Sequence, residues 1–392
     1  MKNIILLGIT SLLTDFSSEM VLPILPFFIQ SVGGGGIIIG LIFGVGDAVA
    51  AILRVWSGYI ADKTKRYKGI VMFGYAISSV VKFAYAGASS WTQIAWVRPA
   101  ERIGKGLRDA PRDAIVSESL PIKQRGKGFG IQRAMDSAGA MLGSVAILVL
   151  YVGMSVPLRT IFIISACIGL LAVVPLIFVR VPSQLRLARG VVSLRELSGK
   201  ARQFLLIATL FAFANFSVVF FIMMGQSAFK DVSTQSALAM TLIAYIVFNL
   251  VDTIFSGPVG ALSDRMGRRR TIIIGYMLFA IVCAGFVAKA WLVHGATENL
   301  IVLIALFALY GVFKAFIDAS QRAFMSDVSE DSVRGTALGA FETLTGLAAI
   351  PAGLIAGVLW NINPVYPFMY GAGVALLSAL WLASALRTPQ SV

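Results

Sequence analysis

Charged residues are scarce in this chain. Of its 392 residues only 13% are Asp, Glu, Lys or Arg, whereas 58% are hydrophobic, and the mean hydropathy is +0.85. Soluble domains carry roughly 25% charged residues. The composition therefore excludes an ordinary water-soluble protein and indicates an integral membrane protein.

Cysteine and histidine are almost absent. The two cysteines, Cys167 and Cys283, lie inside apolar runs, where a thiol behaves as a small hydrophobic group, and the single histidine is His294. No serine or cysteine lies in a recognisable nucleophile motif, and the glycine run 33–36 lacks the Lys-Ser or Lys-Thr of a phosphate-binding loop. We therefore expect no metal site, no cofactor, no enzymatic activity and no ATP-driven transport by this chain.

Apolar runs of about 20 residues recur along the whole sequence, with short polar breaks between them. Each run is long enough to cross about 30 Å of hydrocarbon as a helix, which satisfies its own backbone hydrogen bonds. The first run continues from "MKNIILLGITSLL" into "MVLPILPFFI" without a small-residue cleavage site, so we interpret it as the first span. The sequence predicts an all-α membrane protein of about twelve transmembrane helices.

The net charge of +14 is concentrated in alternate breaks. The breaks that begin at Asp62, Lys123, Arg180 and Asp264 are rich in Lys and Arg, and the intervening breaks are nearly free of both. Because short basic loops remain on the cytoplasmic side, this pattern predicts a multi-pass protein of the cytoplasmic membrane with both termini in the cytoplasm. Topology accounts for the basic residues, so we expect no nucleic-acid partner.

Two segments of the sequence are repeated half a chain apart. "GALSDRMGRRR", Gly260–Arg270, is similar to "GYIADKTKRYK", Gly58–Lys68, and Asp318–Gly335 is similar to Asp109–Gly126. Internal repeats of this kind predict two pseudo-symmetric halves of six helices each. The predicted units are an N-terminal bundle over residues 1–180, a cytoplasmic linker over 181–202 and a C-terminal bundle over 203–392.

The repeated loop resembles the hallmark motif of the major facilitator superfamily, which is Gly, three residues, Asp, a basic residue, one residue, Gly and two basic residues. The second copy matches throughout, at Gly260, Asp264, Arg265, Gly267, Arg268 and Arg269. The first copy keeps Gly58, Asp62, Lys63 and Arg66. In the first copy Lys65 replaces the second glycine.

This resemblance covers the whole chain and implies a monomeric secondary transporter that works by alternating access. In the family the motif acts as a latch that stabilises one of the alternating states. Physically, the glycine lets helix backbones approach, and the basic residues anchor the loop at anionic lipid headgroups. A loop that only sets the topology is the alternative interpretation.

The fourth span contains an unusual density of charge, in "WVRPAERIGKGLRDAPRD" from Trp96. Steps of three and four residues place its members on one helix face, which we call the charged stripe: Arg98, Arg102, Lys105, Asp109 and Arg112. Because an ionisable group at mid-membrane costs ~2.5 kcal/mol or more, such a stripe usually faces protein or a water-filled cavity. We expect Arg108 and the residues up to Asp113 to reach the headgroups, near the cytoplasmic end.

The deeper charged residues of the fourth span are the candidate substrate-binding set: Arg98, Glu101, Arg102 and Lys105. "RIGKG" also resembles the family's fourth-span motif, whose arginine is associated with proton coupling, and Lys105 replaces the glutamine of that motif. The extra positive charge favours an anionic substrate. A static set of structural ion pairs is the alternative.

Three carboxylates are the candidate proton carriers: Asp15, Glu19 and Asp136. We expect Asp15 or Glu19 to meet Arg98 or Arg102 across the cavity, in a pair that could exchange a proton or be broken by substrate. The oxygen ligands of "TDFSSEM" could instead bind a hard cation.

The fifth span resembles part of the family's antiporter motif at Gly130, Gly139 and Gly143. Ser144 replaces the expected proline, and close helix packing alone would also explain these glycines. On the same helix we expect Arg133 to pair with Asp136 or with the charged stripe.

Together these features predict a proton-coupled exporter of a small organic or amphipathic solute, anionic or zwitterionic, with the substrate and protons as its partners. Two alternatives stay open at the level of sequence. The first is proton-coupled uptake of an organic anion or a metal chelate. The second is a receptor or scaffold that no longer transports, although a scaffold gains nothing from the desolvation cost of the stripe.

Overall fold

The computed structural model describes residues 1–121, 125–181, 197–229, 232–292, 295–330 and 333–385. His294, Lys123 and most of the predicted linker lie outside these ranges.

Within the described ranges the chain is helical throughout, and the helices follow one another as twelve spans. Spans one to six are Lys2–Val21 with Leu25–Ser31, Gly36–Thr64, Tyr67–Gly87, Trp91–Glu118, Arg125–Ile147 continued by a π-helical turn Leu148–Gly153, and Leu158–Leu171 with Val174–Ile177. Spans seven to twelve are Gly199–Ala214 with Val219–Ser227, Thr234–Met266, Arg268–Leu292, Ala296–Asp327, Arg334–Leu347 with Ala349–Ile362, and Tyr366–Ala385.

The fourth span differs in composition from its neighbours. Among the described residues, 11 helical segments are long and apolar enough to cross a membrane, and the fourth span is missing from this set. Its length, 28 residues, matches that of the others, so its charges alone keep it out. The predicted fold class, an all-α protein of about twelve spans, is confirmed.

Several spans are broken into two helices. Pro26 and Pro175 lie in the first turn of the helix that follows the break in the first and sixth spans, where proline needs no backbone donor. The seventh span is interrupted between Ala214 and Val219, at a segment without proline. This interruption faces the cavity described below.

The molecule is closed at one face and open at the other. We call the face that carries Met1 and the end of the twelfth span the terminal face. At the opposite face, a side chain at Gly40 of the second span would overlap the carbonyl oxygen of Gly353 in the eleventh. Asn361 Oδ1 accepts a hydrogen bond from the Gly36 amide at 3.0 Å. Small residues thus seal the first six spans against the last six at this face.

The last six spans are packed around aromatic side chains. Phe211 stacks on Tyr276 with ring centroids 3.9 Å apart, and Phe221 lies 4.6 Å from the ring of Tyr310. Met223 is also buried. The Phe- and Met-rich seventh span therefore belongs largely to the core.

Candidate functional site

A polar cavity lies between the first six and the last six spans. Its outer part, the vestibule, has a volume of about 450 Å³ and is lined by charged side chains that include Arg133, Asp318, Arg322 and Glu342. Its deeper part, the inner pocket, has a volume of about 300 Å³. Asp47 and Asn215 line both parts. Because Arg133 and Arg322 are 49% and 47% exposed, the cavity opens through the vestibule toward the terminal face.

The inner pocket brings together most of the predicted site residues. All members of the predicted substrate-binding set and two of the candidate proton carriers line it: Arg98, Glu101, Arg102, Lys105, Asp15 and Glu19. Asp136 does not line it. The apolar part of the wall comes from both groups of spans, through Leu22, Phe43, Phe216 and Val218. The pocket therefore offers both charged and hydrocarbon surface.

Arg98 and Glu101 neutralise each other within the fourth span. Arg98 Nη1 donates to Glu101 Oε2 at 2.7 Å, and both side chains are 6% exposed. The Tyr85 hydroxyl donates to the same carboxylate oxygen at 2.9 Å, and the Arg98 guanidinium lies 4.9 Å from the centre of the Phe43 ring. For this pair the structural interpretation describes the geometry better than a free binding group.

Arg108 does not reach toward the headgroups, contrary to the prediction. It is buried, its Nη1 donates to Ser78 Oγ at 2.9 Å, and its guanidinium lies 4.4 Å from the Tyr75 ring centre. The reason is the close packing of the third and fourth spans, where Gly74 lies against the backbone of Gly104. Arg108 thus packs against the neighbouring span.

Arg102 forms an ion pair with Asp47 of the second span. The predicted partners, Asp15 and Glu19 of the first span, do not contact it, so this expectation is corrected. The second and fourth spans are in close contact, since a side chain at Gly106 would overlap the backbone of Ala50. Asp47 is therefore the nearer carboxylate, and the Arg102 side chain keeps 18% of its surface exposed to the pocket.

Lys105 has no hydrogen bond or ion pair with any residue that the structure describes. Its ammonium lies among Arg102, Arg108, Asp15 and Asp109, and its side chain is half-buried. An ammonium group has three donors and seeks an anion or water. Lys105 is therefore a cation of the inner pocket that is available to a ligand.

Glu19 connects the first span to the second group of spans. Tyr245 of the eighth span, which is fully buried, donates its hydroxyl to Glu19 Oε2 at 2.7 Å. Sequence reasoning missed Tyr245, because a tyrosine in an apolar span carries no signal of a polar role. It also missed Lys82, which is 1% exposed and donates to Ser17 Oγ at 2.7 Å. A lysine within the apolar third span is such a signal.

Arg133 and Asp136 point in different directions, so the predicted pairing is wrong. Asp136 lies near Asp15 of the first span and accepts a hydrogen bond from Gln132 Nε2 at 3.2 Å. Arg133 instead reaches across the vestibule to Asp252, at 3.4 Å, and to Asp318, at 3.7 Å. This contact supplies Asp252 with a partner that the sequence did not reveal.

A second set of ion pairs joins the two groups of spans at the vestibule. Arg54 Nε lies 3.3 Å from Glu342 Oε2, and Arg322 Nη2 lies 2.5 Å from Glu342 Oε1. Lys314 and Asp318, one helical turn apart, are paired at 2.6 Å. Lys314, Asp318 and Arg322 of the tenth span therefore line the cavity.

The two copies of the predicted latch differ in backbone conformation. Lys65 adopts a left-handed conformation with φ 58° and ψ 15°, which residues other than glycine tolerate at a cost. Gly267 has φ 91° and ψ 131°, a region essentially restricted to glycine. Lysine can therefore replace glycine in the first turn because that turn has a different geometry.

The side chains of the latches are also arranged differently. Asp62 accepts a hydrogen bond from the Tyr67 hydroxyl at 2.5 Å. In the second copy Arg268 lies 3.5 Å from Asp264 and 2.8 Å from Asp327 of the tenth span. A side chain at Gly58 would lie 3.4 Å from Ala110, whereas Gly260 has open space beside it, and Lys63, Arg66 and Arg265 are exposed.

Comparison with known proteins agrees with the fold and the cavity. The chain matches the Major Facilitator Superfamily over residues 7–251 and 205–391, and it belongs to that family. It is a multi-pass membrane transporter and not an enzyme.

Individual relatives extend this result. An uncharacterized MFS-type transporter of Methanocaldococcus jannaschii is 42% identical over 384 residues, which cover 97% of this chain and 94% of the relative. Multidrug resistance protein 1 of Bacillus subtilis is 28% identical over 155 residues, 39% of this chain and 38% of that protein. The crystal structure of a mutant of the nucleoside transporter NupG superposes with a TM-score of 0.82 at 16% identity, covering 98% of this chain and all of that chain.

Proposed function

We propose that this transporter exports a small organic solute with an anionic or zwitterionic head and an apolar body, in exchange for protons. The observation that carries the proposal is the ammonium of Lys105, which faces the inner pocket without a partner among the described residues. A cation in a partly desolvated pocket gains most from a ligand that brings the opposite charge.

Arg102 is the second binding group in this proposal. Its guanidinium is engaged by Asp47 and remains in contact with the pocket, so a carboxylate or phosphate on the substrate can compete with Asp47 for it. Phe43 and Phe216 would contact the apolar body of the solute. Both ends of an amphipathic solute thus find complementary surface.

Proton coupling would use Glu19 and Asp15. Glu19 is the carboxylate through which the first span contacts Tyr245, so a proton on it changes a contact between the two groups of spans. Asp15 lies near both Asp136 and Lys105, and a substrate anion on Lys105 would therefore alter its electrostatic surroundings. Because that anion would add negative charge beside Asp15, it would favour the protonated carboxylate, so exchange would require that solute and proton be released at different stages of the alternating cycle.

Two observations favour export as the direction of transport. Gly139 and Gly143 lie against the backbones of Leu12 and Phe16, in the span whose glycines resemble the antiporter motif. The partial similarity to Multidrug resistance protein 1 also favours export. With the terminal face in the cytoplasm, as proposed from the basic loops, the open vestibule would take up solute from the cytoplasm of a cell whose plasma membrane holds the protein as a monomer.

The test is the thermal stability of the purified protein against organic anions, zwitterions, lipophilic cations and divalent metals, at two pH values. A ligand that binds only the folded state raises the melting temperature. We expect stabilisation by organic anions that is lost in Arg102→Ala. Stabilisation by lipophilic cations alone would contradict the proposed substrate class and would make Asp15 and Glu19 the binding groups.

Direction requires a separate assay with the ligand so identified. In proteoliposomes of known orientation, a proton gradient directed into the compartment that the terminal face contacts should drive labelled anion out of that same compartment. Movement of anion and protons in the same direction would favour uptake instead.

A further inference from the structure

A continuous chain of polar contacts leads from Asp136, the carboxylate of the fifth span that lies near Asp15, to the vestibule. Asp136 accepts from Gln132, whose Nε2 also donates to Ser11 Oγ. Ser11 Oγ accepts a second hydrogen bond from Arg112 Nη1 at 3.1 Å. Within the fourth span, Arg112 Nη2 lies 2.9 Å from Asp113 Oδ1, which is the next member of the series of contacts.

The chain ends at the ion pair that joins the two groups of spans. Asp113 Oδ2 lies 3.3 Å from Arg54 Nη2, and Arg54 Nε lies 3.3 Å from Glu342 Oε2. Asp113 is therefore shared by two arginines, Arg112 and Arg54. The two arginines bind different oxygens of Asp113 and share its one negative charge, so a tighter contact with Arg112 leaves less attraction for Arg54.

Gln132 is the link in this chain that can respond to a proton. It is 3% exposed, and its Oε1 has no hydrogen-bond partner although its Nε2 has two acceptors. When Asp136 gains a proton it changes from acceptor to donor, and the free amide oxygen of Gln132 can then accept from it. The side-chain amide of Gln132 rotates so that its oxygen takes the place of its nitrogen. The Ser11 hydroxyl, which accepted a hydrogen bond from Gln132, then donates one to it.

We propose that Gln132 transmits the protonation of the Asp15 and Asp136 carboxylates to the Arg54–Glu342 contact at the vestibule. The turned amide of Gln132, supported by Ser11, holds the proton on Asp136, and the loss of that negative charge near Arg112 lets Arg112 bind Asp113 more tightly. Arg54 then interacts less with Asp113 and binds Glu342 more strongly. This stabilises the arrangement seen here, which is open toward the terminal face. This inference rests on the proposed proton coupling and names the route by which a proton would favour the solute-accepting state.

Other charged groups surround the carboxylates and belong to the same electrostatic balance. Asp15 of the first span lies near Asp136 of the fifth, so the two carboxylates interact electrostatically. The charged side chains around the two carboxylates from the neighbouring spans are Lys105, Arg108 and Arg112 of the fourth span, Glu19 of the first, and Arg133 of the fifth with its partner Asp252 of the eighth. Of these, only Arg112 also belongs to the chain that leads to the vestibule.

The experiment measures the two alternating states directly. Spin labels at Thr64→Cys and Lys200→Cys, two exposed positions at the terminal face, report the separation of the two groups of spans after Cys167 and Cys283 are replaced by Ala. Distance distributions are recorded in lipid nanodiscs in mildly acidic and in mildly alkaline buffer. In the otherwise unchanged chain we expect the ratio of long to short distances to be about fivefold higher or more in acid.

Gln132→Met keeps the size of the side chain and removes its hydrogen bonds. The ratio of long to short distances should then differ by less than about twofold between the two buffers, because the coupling to protonation is lost. Ser11→Ala should have the same effect and serves as the second variant if Gln132→Met does not fold. Thr14→Val is the matched control. Thr14 is buried in the first span, as Ser11 is, and among the described residues its hydroxyl donates only to the Thr10 carbonyl. The control should respond to pH as the unchanged chain does.

The outcomes separate this inference from the proposed function. A pH response that persists in both Gln132→Met and Ser11→Ala would overturn the relay and leave proton coupling intact. No pH response in the unchanged chain would overturn both. Loss of the response in Thr14→Val as well would show a general packing effect and would also contradict the relay.

Discussion

The fourth and tenth spans occupy equivalent places in the two sequence repeats and use charge in different ways. In the fourth span Arg98, Glu101 and Arg108 are buried, and each exposes only about one-twentieth of its surface. In the tenth span Lys314 and Asp318 are 39% and 34% exposed; Lys314 lines the inner pocket, and its partner Asp318 lines the vestibule. The first repeat has therefore concentrated desolvated charge at one wall of the cavity, and the second has kept its charges where water reaches them.

This difference separates two tasks within one fold. Desolvated cations such as Lys105 can discriminate between ligands by charge, because their interactions are weakly screened. Exposed pairs are worth little individually and can exchange partners easily as the halves move. The comparison thus agrees with the proposal that the first repeat binds the solute and that contacts of the second take part in gating.

The largest expected effect follows from removing a cation of the binding wall. Arg102→Ala should abolish transport, because the anionic head of the solute loses a charge-assisted hydrogen bond while the fold keeps its packing. Lys314→Ala in the tenth span should reduce transport far less, since Asp318 retains Arg133 as a partner. Flux of the identified ligand into proteoliposomes measures both, with melting temperature as the control for folding. Equal losses in the two variants would remove the distinction between the spans.

Loss of proton coupling should follow from Glu19→Gln. The amide keeps the hydrogen bond from Tyr245 but cannot carry a proton, so exchange driven by a pH gradient should stop while counterflow of solute without a gradient continues. Tyr245→Phe should weaken coupling only partly, because the carboxylate remains. The same proteoliposomes report both reactions. Gradient-driven exchange at the original rate in Glu19→Gln would exclude Glu19 as the proton carrier.

Stability should distinguish the two kinds of ion pair. Arg98→Leu leaves Glu101 buried without its partner and should cost about 3–5 kcal/mol of unfolding free energy, and Arg98→Leu combined with Glu101→Leu should cost less. Lys314→Leu, which breaks an exposed pair, should cost about 0–1 kcal/mol. Reversible unfolding in mixed micelles measures these differences. A single variant no less stable than the double one would mean that the pair is not desolvated.

The smallest effects concern the turns of the two latches. Lys65→Gly should change stability by about 1 kcal/mol or less, since relief of the left-handed strain is offset by the backbone entropy of glycine. Gly267→Ala should destabilise by about 1–3 kcal/mol, because its conformation excludes a side chain. Thermal unfolding compares the two. The reverse order would contradict the turn geometries seen here.

The sequence predicted the fold well because the lengths of apolar runs and the placement of basic residues depend on the membrane alone. It predicted which residues carry charge into the cavity, since Arg102 and Lys105 break an otherwise apolar span. It did not predict their partners. Arg102 meets Asp47 and Arg133 meets Asp252 because of how closely particular helices approach, which glycines help to set, and how each helix is rotated. A single sequence predicts neither the approach nor the rotation.

Residues that act only through position were also beyond the sequence. Tyr245 and Gln132 are ordinary residues in apolar surroundings, and their roles depend on the carboxylates that face them from the first and fifth spans. The predicted boundaries of the two bundles at residues 180 and 203, and the latch function of the repeated loops, remain predictions.

The most direct test of the account is the affinity of the organic anion identified by thermal stability for four proteins: the unchanged chain, Arg102→Ala, Lys105→Met and Lys314→Met, measured by titration calorimetry. Hydrogen bonds to charged groups are worth about 1.5–3 kcal/mol, so each fourth-span variant should bind about 10- to 150-fold more weakly. Lys314→Met should bind within a few-fold of the unchanged chain. Equal affinity in Lys105→Met and the unchanged chain would contradict the claim that the fourth span holds the anion.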